Sequence, residues 1–150
     1  MDFVLGKGVR CVFVLDISGA ALRRARERLG ETAQTVTWIE ADVTADWHVP
    51  HVDIWHDRAV FHFLTSPDDR AGYLSRMRAA LRPGGSAIIG AFAPDGPEKC
   101  SGLQCVRYSP DLLQRELGDG FRLDEWVRES HQTPSGVVQA FGYHRFTRIA

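Results

Sequence analysis

The residues most capable of chemistry are two acids and a short ionisable run: Asp16, Asp42 and His56-Asp57-Arg58. Each closes an apolar stretch of β-forming residues, "CVFVLD", "TVTWIEAD" and "HVDIWHD". Open parallel sheets take ligands beyond the carboxyl ends of their strands, so these endings would share one binding edge. A single acid after a strand is commonly just a helix cap; it is the series of three that points to a site. Arg58 has two readings, anchoring an acidic substrate group or pairing with Asp57. His48, His51, His56 and His62 fit no zinc spacing and no paired cysteine accompanies them, so no metal is expected. Cys100 and Cys105 share one loop. Together they could hold a thiophilic substrate such as arsenite, and ordinary loop cysteines are the plainer reading. Trp38, Trp47, Trp55 and Trp126 read as core or surface cover.

The elements that must position these residues follow from periodicity. Residues 11–16 read as a strand buried on both faces, because the apolar run does not alternate. Ser18 can cap the next helix, Leu22, Ala25 and Leu29 give it an apolar stripe, and Gly30 ends it. Strands are expected over 35–42, 51–57 and 86–92. "SPDDRAGYLSRMRAALRPGG" reads as a helix capped by Ser66, opened by Pro67 and stopped by "RPGG"; Leu74, Met77 and Leu81 form its stripe. A short helix over 110–117 follows Ser109. "FRLDEWVRESHQT" and "GVVQAFGYHRFTRI" bracket Pro134-Ser135-Gly136 and read as a β-hairpin. Strands alternating with helices imply an α/β fold with a mostly parallel sheet covered on both faces.

The chain has 150 residues, which suits one domain over 1–150. Its 18 basic and 19 acidic residues leave a formal charge of -1, giving no electrostatic reason to expect nucleic acid or an anionic membrane as partner. No apolar run approaches the ~20 residues of a membrane span, and no leader pattern is visible, so the expected compartment is the cytoplasm. Three cysteines, an odd count, argue against a disulfide framework.

"VFVLDIS", "IEADV", "VDIWHDRAVFHFL" and "ALRPGGSAIIGAF" occur in the order and spacing of class I S-adenosylmethionine-dependent methyltransferases. The chain resembles that family over nearly its whole length. The resemblance implies a Rossmann-like sheet whose last strand is antiparallel, S-adenosylmethionine as cofactor, and methyl transfer, with a small molecule as the expected acceptor. It also implies roles. Asp16 matches the acid that accepts from both ribose hydroxyls, and Ile17 would pack on one adenine face. Asp42 matches the acceptor of the adenine amino proton, with the Val43 backbone N–H meeting the neighbouring ring nitrogen. His56 matches the position beside the methionine part and the transferring methyl. A base is needed only if the nucleophile arrives protonated, and His56, Asp57 and His62 are the candidates. The alternative for His62 is a histidine packed among aromatics. The Asn/Asp-Pro-Pro-Tyr signature of enzymes that methylate amino groups of bases is absent at "HDRAV". A nicotinamide fold also ends its second strand in an acid, but predicts neither the later "AD" nor "RPGG".

One departure stands out. The family opens with a strand and a glycine-rich turn that holds the methionine moiety, then a helix; here only ten residues precede Cys11. Residues 1–7 are expected to be either the tail of that helix or an antiparallel partner of the first strand, with the usual first strand lacking. On that expectation the Asp16 and His56 strands pair directly or leave open edges, through which a homodimer could form. The alternative function is then a catalytically silent relative that serves as a binding or oligomerising module.

Overall fold

The computed structural model describes residues 9–133 and 136–149. The expectation for residues 1–7, and the Pro134-Ser135 part of the hairpin turn, lie outside the described residues. The chain divides into two compact units, Met1–Val49 and Pro50–Ala150.

The first unit holds β1 (Val12–Asp16), α1 (Gly19–Leu29), a 3-10 turn (Gly30–Thr35) and β2 (Val36–Glu40). The two strands pair in parallel from Val12 opposite Val36 to Asp16 opposite Glu40. Ser18 caps α1 as its spacing predicts, its hydroxyl accepting from the Ala21 N–H at 3.2 Å. Gly30 ends the helix in the left-handed region, at φ 57°. Leu22 is the buried residue of α1. The Trp38 indole N–H donates to the Ala33 carbonyl at 3.1 Å, and the Arg26 guanidinium lies 5.2 Å from its ring. That pair ties α1 and the 3-10 turn to β2.

The second unit contains β3 (Val52–Arg58), α2 (Pro67–Ala80), β4 (Leu81–Phe92), a small hairpin of β5 (Lys99–Cys100) and β6 (Leu103–Gln104), α3 (Pro110–Leu117), β7 (Phe121–Gln132) and β8 (Val138–Arg148). Its main sheet has the order β3-β4-β8-β7. β3 and β4 are parallel, and β8 runs antiparallel to both β4 and β7. Three of the four strands therefore share a direction and β8 alone is reversed, the α/β arrangement with an antiparallel final strand that the sequence predicts. β1 and β2 form a two-stranded sheet within the first unit.

Tyr73, Met77, Leu81, Ile89, Phe92, Leu113, Leu117, Phe121 and Phe146 fill the core of this unit. α2 begins at Pro67 under a Ser66 cap that accepts from the Asp69 N–H at 3.1 Å. Arg70 bonds Glu116 at 3.0 Å and the Leu64 and Thr65 carbonyls, linking α2 to α3. Gln114 accepts from the Leu123 N–H and donates to the Phe121 carbonyl, fastening α3 to β7. The strands expected over 35–42 and 51–57 run Val36–Glu40 and Val52–Arg58, and the largest difference is at the start of β4. β4 starts at Leu81 rather than at residue 86, because Leu81 already pairs with Val52 before the register shifts and resumes at Ile54 opposite Ser86. The intervening "RPGG" is a bulge as well as a helix stop. Gly85 is needed there, since a Cβ would fall 2.7 Å from Leu81 Cδ1 and 2.8 Å from the Arg82 carbonyl oxygen.

Candidate active site

In the first unit, the strand ends carry two locally fixed carboxylates. Asp16 is half-buried at the end of β1, and its Oδ1 accepts from the Ser18 N–H at 2.8 Å. This short turn aims the side chain along the strand. Its other oxygen has no hydrogen-bond partner among the described residues. The next residue, Ile17, is 71% exposed, an unusual place for a branched apolar side chain. The Ala41 N–H donates to the Asp16 carbonyl at 3.2 Å, which draws the loop after β2 to the end of β1. On that loop, Asp42 Oδ1 accepts from the Thr44 N–H at 2.8 Å and the Thr44 hydroxyl at 2.7 Å. These bonds hold the Asp42 carboxyl below its usual pKa. Its second oxygen is also without a partner among the described residues, and the adjacent Val43 N–H has no protein acceptor there. The unit thus presents a free carboxylate oxygen at Asp16, an exposed apolar side chain at Ile17, and an acceptor–donor pair at Asp42 and Val43.

In the second unit, β3 separates its ionisable run by face. Ile54, His56 and Arg58 are exposed and alternate with the half-buried Trp55 and buried Asp57. Partial desolvation and the Arg58 cation keep the His56 ring below its ordinary pKa. The Arg58 Nε donates to the Tyr143 hydroxyl at 3.1 Å, so its partner here is Tyr143 rather than Asp57.

Asp57 faces inward. Its Oδ1 accepts from the Val60 N–H at 3.0 Å, and its Oδ2 from the Phe61 N–H at 3.1 Å and the Tyr73 hydroxyl at 2.7 Å. Tyr73 accepts in turn from the Trp55 indole N–H at 2.7 Å. Burial raises the Asp57 pKa, opposed by these three donors, and burial beside Asp57 pushes the Tyr73 phenol far above its usual value. The turn that Asp57 closes holds Ala59 at φ 63°, with its N–H on the Gly90 carbonyl at 2.8 Å. A non-glycine residue in that region costs of order 1–3 kcal/mol, so the carboxylate holds a strained turn in place. Tyr73 was not among the expected site residues. Its signal was its place one helical turn before Met77, on the inward side of α2.

His62 is fully buried, stacked on Phe92 at 4.5 Å and edge-on to Phe63 at 4.5 Å. Neither ring nitrogen has a hydrogen-bond partner, and desolvation lowers its pKa to about 4. It is a neutral ring among aromatics. Of the three expected proton-transfer candidates, only His56 presents its ring to solvent. Cys100 and Cys105 lie on the β5-β6 hairpin and the residue just past it, where desolvation first and then Cys100 raise the Cys105 thiol pKa.

A family model described as a methyltransferase domain matches residues 3–85, more than half of the chain and across the boundary between the two units. Comparison with curated proteins returns no match. Among solved structures, a SAM-dependent methyltransferase from Methanosarcina mazei superposes with a TM-score of 0.76 at 14% identity, over 98% of this chain and 85% of that one. The 1,6-didemethyltoxoflavin-N1-methyltransferase of Burkholderia thailandensis, solved with 1,6-didemethyltoxoflavin and S-adenosylhomocysteine, gives 0.76 at 21% identity, over 99% of this chain and 65% of that one. The N-methyltransferase NodS of Bradyrhizobium japonicum, in complex with S-adenosylhomocysteine, gives 0.69 at 18% identity, over 91% and 65%. This chain thus spans just under two thirds of the length of the latter two enzymes. At such identities the likeness speaks for the fold, while the family match speaks for kinship. The chain belongs to the methyltransferase-domain family and has the Rossmann-like fold of class I S-adenosylmethionine-dependent methyltransferases.

Proposed function

We propose that this chain transfers a methyl group from S-adenosylmethionine to a small molecule, acting as one methyltransferase domain over residues 1–150 in the cytoplasm. The observation that carries this reading is the arrangement at the ends of β1 and β2. A free Asp16 oxygen suits the ribose diol, since a carboxylate accepts charge-assisted bonds from both hydroxyls. The Asp42 acceptor beside the Val43 donor has the polarity of adenine's amino edge, and exposed Ile17 offers an apolar face for the ring. The residues present therefore fit the adenosine end of the cofactor. When bound, the cofactor supplies an electrophilic methyl on a sulfonium, a good leaving group.

The protein's task is then mostly alignment. His56 is assigned to the methionine and methyl end, where its solvent-facing imidazole, neutral near pH 7, can take a proton from an acceptor that arrives protonated. Asp57 acts on that end through the turn it fastens, and His62 through the aromatic packing behind it. No helix among the described residues is long and apolar enough to cross a membrane. The balanced charge favours a small-molecule acceptor over nucleic acid.

The test is calorimetric titration with S-adenosylhomocysteine, alongside transfer of a labelled methyl to a panel of thiol, hydroxyl and amine acceptors. Asp16→Ala is expected to weaken binding by roughly 1.5–3 kcal/mol, about ten- to a hundredfold. Asp42→Asn is expected to weaken it less. Unchanged affinity in Asp16→Ala would remove the ribose assignment. Binding without turnover would leave a cofactor-binding module in place of an enzyme.

A further inference from the structure

Beyond the end of β4, a cleft of about 320 Å³ opens among Ala93, Pro94, Asp95, Pro110, Trp126 and Arg128. All six belong to the second unit, and Ala93 directly follows the last residue of β4. The cleft therefore lies at the carboxyl edge of that sheet, where open α/β sheets take their ligands.

Its walls are held from behind. The turn from Ala93 to Gly96 is fixed by the Ala93 N–H on the Ala140 carbonyl at 2.9 Å and the Gly96 N–H on the Ala93 carbonyl at 2.8 Å. A Cβ at Gly96 would fall 2.7 Å from the Ala140 carbonyl oxygen, so only glycine lets the turn sit this close to β8. The Trp126 indole lies against Gly142, where a Cβ would fall 2.7 Å from its Nε1. Trp126 is still 40% exposed. Arg128 donates from one terminal nitrogen to Asp95 Oδ2 at 2.6 Å while its side chain is 50% exposed. That contact fixes the guanidinium and neutralises Asp95, yet leaves most of the five N–H donors of an arginine available. A flat aromatic wall, two proline walls and an anchored cation with spare donors thus meet in one small space.

We propose that this cleft is a ligand site of its own, on the opposite face of the sheet from His56, and that it selects a planar compound of one or two aromatic rings bearing a carboxylate. The ring lies against Trp126 and the carboxylate meets the free edge of the Arg128 guanidinium. Ligand cavities run from about 300 to 1,000 Å³, so a cleft at the low end of that range sets the limit of one or two rings. A cationic ligand is disfavoured, because the one carboxylate at the rim is already paired. This binding does not rest on the methyl-transfer reading.

The test uses the full chain without cofactor, titrated by calorimetry with 4-hydroxybenzoate, with 4-hydroxybenzyl alcohol, which lacks the carboxylate, and with cyclohexanecarboxylate, which lacks the aromatic ring. The hydroxybenzoate is expected to bind at least tenfold tighter than either analogue. Arg128→Gln and Trp126→Ala are each expected to weaken it at least tenfold, and Trp126→Phe to restore most of the affinity. Equal affinity for all three probes, or indifference to both variants, overturns the proposal. Tight binding of the ring acid by a chain that transfers no methyl leaves the cleft standing and removes the transfer reading.

Discussion

Asp57 keeps a carboxyl group inside an apolar shell, and the Tyr73 hydroxyl is its only side-chain donor among the described residues. Tyr73→Phe removes that donor and also strips the Trp55 indole N–H of its acceptor. The variant is expected to lose about 1–3 kcal/mol of stability, read from urea denaturation. His62 makes a second prediction. Its folded pKa of about 4 lies below the unfolded value of 6.5, so the fold favours the neutral ring. Stability from this residue is complete above pH 6.5 and falls as pH drops toward 4, where the unfolded chain takes up the proton first. The loss approaches about 3 kcal/mol. Asp57 works in the opposite direction, since its raised pKa disfavours the charged form in the fold and stability gains as it protonates. Comparing denaturation midpoints at pH 7 and 4.5 for the parent and His62→Phe isolates the histidine; parallel pH dependence in both would refute this account. The places of Asp16 at the end of β1 and of Asp42 just past β2 were legible in the sequence, because an acid closing an apolar run is a local pattern. The inward turn of Asp57 was not, because its partner Tyr73 stands 16 residues away on a different element.

Among the elements, the helices were read most directly. Ser18, Ser66 and Ser109 each cap a helix through the side-chain bond that their spacing predicts. The strand β4 was read too short, because glycines after a helix signal its end whether or not the next strand has already begun. Only the pairing of Leu81 with Val52, supplied by β3, shows that it has. Gly85→Ala tests the bulge. The added Cβ meets the Arg82 backbone oxygen as well as a leucine methyl, and backbone gives way less easily than a side chain. The variant is expected to lose about 1–3 kcal/mol, as overpacked sites do, with the midpoint of chemical denaturation as the measurement. A loss below about half a kcal/mol would mean that the bulge relaxes freely. The Trp126–Arg128 cleft was invisible for a related reason, since residues from the loop after β4, from α3 and from β7 meet there only in the folded sheet.

At the scale of the whole chain, the four-stranded sheet ends, among the described residues, in β3 on one side and β7 on the other. An outer strand offers unpaired backbone groups, and Ile54 on β3 is 59% exposed. Copies of the chain are therefore expected to associate through this edge. Mass measured by light scattering during size exclusion should rise with concentration, and Ile54→Lys should suppress the rise. A constant monomer mass in the parent would remove the prediction.

The reversed strand β8 also governs the order of assembly. It is the partner of both β4 and β7, so neither can complete its pairing until residues 138–148 have been synthesised and released from the ribosome. During that interval the apolar strand β4 stands with one side open. The parallel β3–β4 pair and α2 can form early, whereas the cleft, whose walls lean on Ala140 and Gly142 of β8, cannot be complete before β8 has paired.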